Sequence, residues 1–358
     1  MRRQKPAPRH LLPEPSSHGH RLDDTAAVTG LGMDRRRAGL LLAGVALSAT
    51  SWGNAQVQVR WPLEKPMTLI VPWPAGSSFD IVGRVVAEGI QRRHGNTVVV
   101  ENRTGASGNI GQAAAARAKP DGYTFIVTTP GPAANNALTF KSLPYDPLTD
   151  FTYIGVTNRD PSVLVVRSGL KMDTFKDFIA YAKANPGQLR MGSPGNGTYS
   201  HMTQLALQDL AGVTFNIVPY RGPPQVLQDL LGGHLDAGMS LIGNFMPQVQ
   251  AGQLKVLAVF GDRRDPALPD APTLKELGHD FASQPWTGIE GPKGLPRAIV
   301  VEMNRTVNEI LREPAVIAKL AALGMTASPS TPEEFETIVR GEVEKWRPIV
   351  TKYHVSSE

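Results

Sequence analysis

Thr68-Leu69-Ile70-Val71-Pro72-Trp73-Pro74-Ala75-Gly76-Ser77-Ser78-Phe79-Asp80 is the stretch from which the rest of the chain is read. Thr68 to Val71 is a short apolar, partly β-branched run that predicts a buried strand, and Pro72 and Pro74 stop it. Ala75, Gly76, Ser77 and Ser78 form a small-residue loop. After it, Ile81, Val82, Val85, Val86 and Ile90 recur at helical spacing, with Arg84, Glu88 and Arg92 on the other face. Ser77 and Asp80 stand three residues apart, the spacing of a capping box, so the loop delivers the chain into a helix N-terminus with unpaired N–H groups. Such an end favours an anion by roughly 0.3–1 kcal/mol.

Export is written into the N-terminal part. Met33 to Ala55 carries three arginines, an apolar run from Ala38 to about Ala49, and Gly53 and Ala55 at the −3 and −1 positions of a small-residue cleavage site. This is the pattern of a secretory signal peptide cleaved near Ala55, and it predicts a periplasmic protein. Residues 1–32, rich in Pro, His and Arg, read as an unstructured extension or a mis-assigned start. The whole chain has 358 residues with 37 Lys+Arg and 32 Asp+Glu. Residues 1–55 hold eight of the basic and four of the acidic ones, so the mature part keeps 29 and 28, a net charge of +1. The basic balance therefore belongs to the leader, and nucleic acid is not an expected partner. The absence of cysteine excludes thiol catalysis and disulfide staples, so an exported chain of this size rests on its apolar core.

Downstream, strands alternate with helices through short loops, which predicts a mostly parallel sheet covered on both faces. Thr97 to Val100 and Thr124 to Val127 continue the first sheet. Around Tyr153 to Pro161 the pattern changes, and Val163 to Val166 restarts it, placing a crossover between two lobes. The expected division is lobe 1 from 56–157 plus 270–358, and lobe 2 from 158–269. Thr273 to Leu277 is expected to be helical and Trp286 to Ile289 to be an edge strand. Thr331, Pro332 and Glu334 give a full start signal for the C-terminal helix.

Motifs for catalysis are missing. No G-x-S-x-G elbow, Walker A loop or H-E-x-x-H occurs, and no cofactor or metal is expected. Gly105 to Gly111 matches a phosphate loop only in having spaced glycines. Two loops agree with each other: Pro74 to Ser78 and Ser193 to Thr198 each follow a strand, consist of small and hydroxylated residues, and open a helix. Thr198 is the expected N-cap of the second helix, and His201 lies in its first turn. Facing one another across a cleft, the loops would offer many N–H and O–H donors and few fixed positive charges, a setting for a carboxylate. Trp73 and Tyr220 are candidate aromatic walls.

The segments from Lys65 to Ala87, Val98 to Val127 and Met191 to Met202, with Pro219-Tyr220-Arg221-Gly222 and Trp286 to Pro296, resemble in order and spacing the Bug-type extracytoplasmic solute-binding proteins of tripartite tricarboxylate transporters. The resemblance implies a type II periplasmic binding protein fold, with two Rossmann-like lobes joined by a crossover hinge, and a non-enzymatic role. It implies a small carboxylate ligand gripped by the loop at Pro74, Ala75, Gly76, Ser77 and Ser78 and by Gly195, Asn196, Gly197, Thr198 and His201. Thr128 and Thr129 would line the distal part, Tyr220 would stand nearby, and Asp80 would act as a helix cap. Integral-membrane transporter subunits are the implied partners. A receptor docking on a sensor kinase ectodomain is the alternative, and an exported hydrolase using a loop serine with His201 a third, without an oxyanion motif to support it. The chain departs from the family where Ser77 stands for a second glycine, and where Thr104 to Gly108 replaces Pro-Gly-Ala-Gly-Gly.

Overall fold

The computed structural model describes residue 61 and residues 64–356, so the expected leader at 33–55 and the segment 1–32 lie outside the described residues. In chain order the strands are β1 (Met67–Val71), β2 (Val98–Asn102), β3 (Thr124–Thr128), β4 (Phe151–Arg159), β5 (Ser162–Arg167), β6 (Arg190–Ser193), β7 (Asn216–Pro219), β8 (Ala237–Leu241), β9 (Leu254–Val259) and β10 (Trp286–Pro292). The helices are α1 (Ser78–His94), α2 (Asn109–Ala116), α3 (Asn136–Thr139), α4 (Phe175–Ala184), α5 (Tyr199–Ala211), α6 (Pro223–Leu231), α7 (Met246–Gln250), α8 (Arg297–Leu311), α9 (Pro314–Ala321) and α10 (Pro332–Tyr353).

They build two five-stranded sheets, ordered β2-β1-β3-β10-β4 and β7-β6-β8-β5-β9. Both are mixed. β1 runs parallel to β2 and β3, while β10 is antiparallel to β3 and β4. In the second sheet β6 is parallel to β7 and β8, and β5 antiparallel to β8 and β9. β10 is therefore a central strand and not the expected edge. Its glycines mark close approach: a Cβ on Gly288 would stand 2.4 Å from Phe335 Cζ, and one on Gly291 2.4 Å from Leu295 Cδ1. Thr273 to Leu277 is likewise not a helix. Thr273 bridges to Val259, and its N–H and hydroxyl close onto the Glu276 carboxylate, so the capping pattern is spent on turns between Pro272 and Gly278.

The chain leaves the first sheet after Arg159, enters the second at Ser162, and returns between Phe260 and Trp286. On that return path Ala271, Leu274 and Phe281 pack into the second sheet's clusters. α10 starts at the expected N-cap Thr331 in a capping box with Glu334. It then spans both lobes. Phe335 and Val339 pack with Tyr153 and Trp286 of the first, and one end further on Trp346 and Val350 pack with Tyr199, Met202 and Leu205 of the second.

Among the described residues two acids are fully buried in this frame. Asp160, in the first crossing, accepts from Thr326 N–H at 2.9 Å and from the Asn158 amide; burial, with Asp265 nearby, raises its carboxyl to about 7. Glu290, in the middle of β10, accepts from Gln112 Nε2 at 2.6 Å while its other oxygen has no partner, and burial raises it to about 8. Both hold a proton in the folded state at pH values where the unfolded carboxyl has lost it, so raising the pH removes stability until the folded values are passed. His201 works in the opposite direction, but only between its folded value of about 4 and the unfolded value of 6.5. Between pH 6.5 and 8 His201 no longer opposes them, the buried carboxyls of Glu342 and Asp265, also raised, act in the same direction, and the unfolding free energy in urea is expected to fall by on the order of 2 kcal/mol. Glu290→Gln should flatten most of that slope; an unchanged slope contradicts the assignment.

Candidate functional site

At the end of β1 the loop from Trp73 to Ser78 is organised by one carboxylate. Asp80 Oδ2 accepts from Gly76 N–H at 3.0 Å and from Arg84 Nε at 3.0 Å, and its Oδ1 accepts from Asn102 Nδ2 at 2.9 Å. Burial opposes its charge, but Arg84, the Gly76 N–H and Asn102 together outweigh burial and hold the carboxyl below its ordinary value. Gly76 takes the positive φ of 81° that lets its N–H turn back onto Asp80, a conformation that disfavours side chains. Ser77 has an ordinary φ of −71° and caps α1, its Oγ accepting from Asp80 N–H at 3.3 Å. Ser77 thus supplies a cap at a position where no glycine conformation is needed.

At the end of β6 the second loop is built alike. Thr198 caps α5: its Oγ1 accepts from His201 N–H at 3.3 Å and donates to the Gly195 carbonyl at 2.7 Å. Gly197, at φ 71°, donates its N–H to His201 Nδ1 at 3.1 Å, which puts the imidazole proton on Nε2. Burial lowers His201 to about 4, so this ring is neutral at physiological pH. The Tyr199 and Ser200 N–H groups head α5 without intrahelical partners.

The loops meet across the lobes. Asn244 Oδ1, held by its own amide on Ser240 Oγ at 3.0 Å, accepts from Ser78 N–H at 2.9 Å. Ser107 Oγ donates to the Asn196 carbonyl at 2.8 Å, and a Cβ on Gly222 would stand 2.7 Å from Pro74 Cδ. Between them lies a cavity of about 30 Å³. Space of that size holds a water or two. Lobe 1 lines it with Trp73, Phe79, Thr129, Pro130, Gly131 and Trp286; the other wall runs from Pro194 through Thr198, Tyr199 and Ser200 to Pro223, Ser240 and Leu241, with Pro285 from the return crossing. No charged side chain is among them.

The residues singled out in the sequence are distributed unevenly about this cavity. Thr129, Thr198 and the wall residue Trp73 line it. Ala75 and Gly76 are exposed, while Pro74 and Ser78 make contacts between the lobes. Gly195, Asn196, Gly197 and His201 shape the second loop from behind. Thr128 is turned away, its hydroxyl donating to Gln112 Oε1 at 3.1 Å, and Tyr220 gives its hydroxyl to Asp229 at 2.6 Å, outside the lining. Ser240, Asn244 and Pro285 carried no local signal, and Phe79 and Trp286 stood within the resembling segments without a role of their own. A topological one existed: the lining collects at the carboxyl ends of parallel strands β1, β3, β6 and β8 and at the amino end of antiparallel β10.

Two α/β lobes closing two capped helix N-termini over one cavity define a two-lobed solute-binding protein. The family model described as tripartite tricarboxylate transporter family receptor matches residues 82–355, and the chain belongs to that family. It is 34% identical over 288 residues to Protein BugT of Bordetella pertussis, covering 80% of this chain and 88% of BugT. Among solved structures, Rpa4515 of R. palustris with adipate is similar at a TM-score of 0.80 and 32% identity, over 83% of this chain and 99% of that one. MatC of Rhodopseudomonas palustris with bound malate is similar at 0.76 and 29%, over 80% and 99%. The chain is accordingly a solute-binding receptor and not an enzyme. No helix among the described residues is long and apolar enough to cross a membrane.

Because Asp80 carries three charge-assisted bonds, Asp80→Ala should cost about 1–3 kcal/mol of stability and loosen the Trp73–Ser78 loop. Urea unfolding, with amide exchange at Gly76 as a second readout, checks this; unchanged protection of Gly76 contradicts it.

Proposed function

We propose that this chain captures a small carboxylate between its lobes, in the periplasm, and hands it to integral-membrane transporter subunits. The observation that carries the reading is the convergence of two helix N-termini on one cavity whose lining has no charged side chain. A carboxylate there accepts from backbone N–H groups, whose alignment with the helix dipole favours an anion without a counter-charge. The donors left for it are Phe79 N–H at the head of α1 and Tyr199 and Ser200 N–H at the head of α5. The first-turn N–H groups of Ser78, Asp80 and His201 are already taken. Pro74 to Ser78 and Gly195 to Thr198 then act as the frames that hold these donors. Adipate and malate in the two Rhodopseudomonas relatives support a carboxylate in this chain's cleft. Family membership supports export and a membrane transporter as the recipient.

Delivery follows from closure. The Ser78–Asn244 and Ser107–Asn196 hydrogen bonds run between lobes, so they contribute to the closed state alone, and a ligand touching both lobes adds to it. The mature chain from Gln56, unfolded and refolded to strip any bound acid, should be stabilised by a mono-, di- or tricarboxylate at 100 times its Kd by about 2.7 kcal/mol. A thermal-shift screen reads this directly. No stabilisation by any carboxylate overturns the reading.

A further inference from the structure

The geometry points to a flat monocarboxylate, an aromatic acid, as the cargo of this cleft; the inference rests on the carboxylate reading above and narrows it. Four aromatic side chains, Trp73, Phe79, Tyr199 and Trp286, meet at the cavity, and four of the other lining residues are prolines, which bring no N–H donor. The polar tips of two of the aromatics are engaged elsewhere. Trp286 Nε1 donates to Glu342 Oε1 at 3.2 Å, and the Tyr199 hydroxyl accepts from Lys345 Nζ at 3.4 Å. What they present to the cavity is carbon.

Trp73 is different. Its indole N–H is buried with no hydrogen-bond partner, which is rare for tryptophan, while its ring packs on Phe79 at 5.3 Å between centroids and a tilt of 32°. An acid whose ring lies against Phe79 and whose carboxylate reaches both the edge of the Trp73 indole and the head of α5 gives that N–H an acceptor. With the ring over Phe79 at the head of α1, a second carboxylate on the same ligand has only the hydroxyls of Thr129 and Ser240 and no helix head left to receive it, and burying a carboxylate short of donors costs several kcal/mol. Ligand thickness acts in the same direction. A cavity of roughly 150 Å³ takes benzene, so the lobes must part from the present 30 Å³ to admit any ring. A planar ring asks for about 3.5 Å of separation, the contact distance of carbon atoms. A puckered ring or a branched acid asks for more and loses bonds between the lobes.

Titration of the stripped protein with benzoate, cyclohexanecarboxylate, adipate, malate and neutral benzamide, read by tryptophan fluorescence and calorimetry, tests this. Benzoate is expected to bind at least tenfold more tightly than each of the others, and Trp73→Phe to weaken benzoate about tenfold while keeping the ring. Binding of adipate or malate equal to or tighter than benzoate overturns the aromatic assignment and leaves the carboxylate reading standing. Benzamide binding as well as benzoate overturns both. No effect of Trp73→Phe on benzoate removes the indole N–H from the site.

Discussion

One buried carboxylate, that of Asp80, sets the geometry on which the cleft depends. By accepting from Gly76 N–H, Arg84 and Asn102 it folds the loop after β1 back on itself and brings α1 to the cleft with its first turn already capped. Its negative charge is fully matched inside lobe 1, so the cleft is not made repulsive to an acid by it. Asn102 also donates to the Trp73 carbonyl at 3.0 Å, tying the same network to the aromatic wall. In lobe 2 neutral groups do the corresponding work: Thr198 and His201 close their loop with hydroxyl and imidazole, and burial keeps the imidazole uncharged. Two differently built frames thus present the same thing, helix N–H groups with no unpaired charge beside them.

The lobes themselves are joined by more than the two crossings. α10 packs Phe335 and Val339 against the first sheet and Trp346 and Val350 against α5, whose head forms part of the cavity. Glu342 stands between, accepting from the indoles of Trp286 and Trp346, and burial raises its carboxyl above the ordinary value. A helix seated on both lobes limits how they can separate: hinge motion must slide the Trp346 to Val350 end over α5, carry α5 with it, or bend α10 at Pro348. This couples the cavity wall at Tyr199, whose ring meets Trp346 edge-on at 4.9 Å, to the far end of the chain.

Much of this arrangement is legible in the residues. Strand-ending prolines, the Ser77/Asp80 and Thr198/His201 spacings and the small-residue loops mark both helix starts, since capping is local chemistry. The aromatic lining is not legible in the same way. Trp286 lies in a strand expected at an edge, yet its Gly288 admits Phe335 from far along the chain and its Gly291 admits Leu295 from the loop that follows the strand. Phe79 reads as helix interior, and Asn244 as loop polarity, until topology places them on opposite sides of one cavity. Strand β4 is hidden as well, because Phe151 to Arg159 lies where the alternation of strand and helix breaks between the lobes, and its pairing with β10 is antiparallel across about 130 residues of sequence. Tyr220 shows the reverse error: an aromatic beside a glycine turn looks like a wall, but Asp229 is within reach of its hydroxyl.

Whether an acid is held here by backbone at helix heads without a charged side chain can be read from a crystal structure of the stripped protein with a bound carboxylate. Ligand oxygens are expected about 2.7–3.2 Å from the N–H groups of Phe79, Tyr199 or Ser200, with no guanidinium or ammonium in contact. A lysine or arginine side chain on the carboxylate, or a ligand seated outside the space between Trp73 and Tyr199, would contradict it.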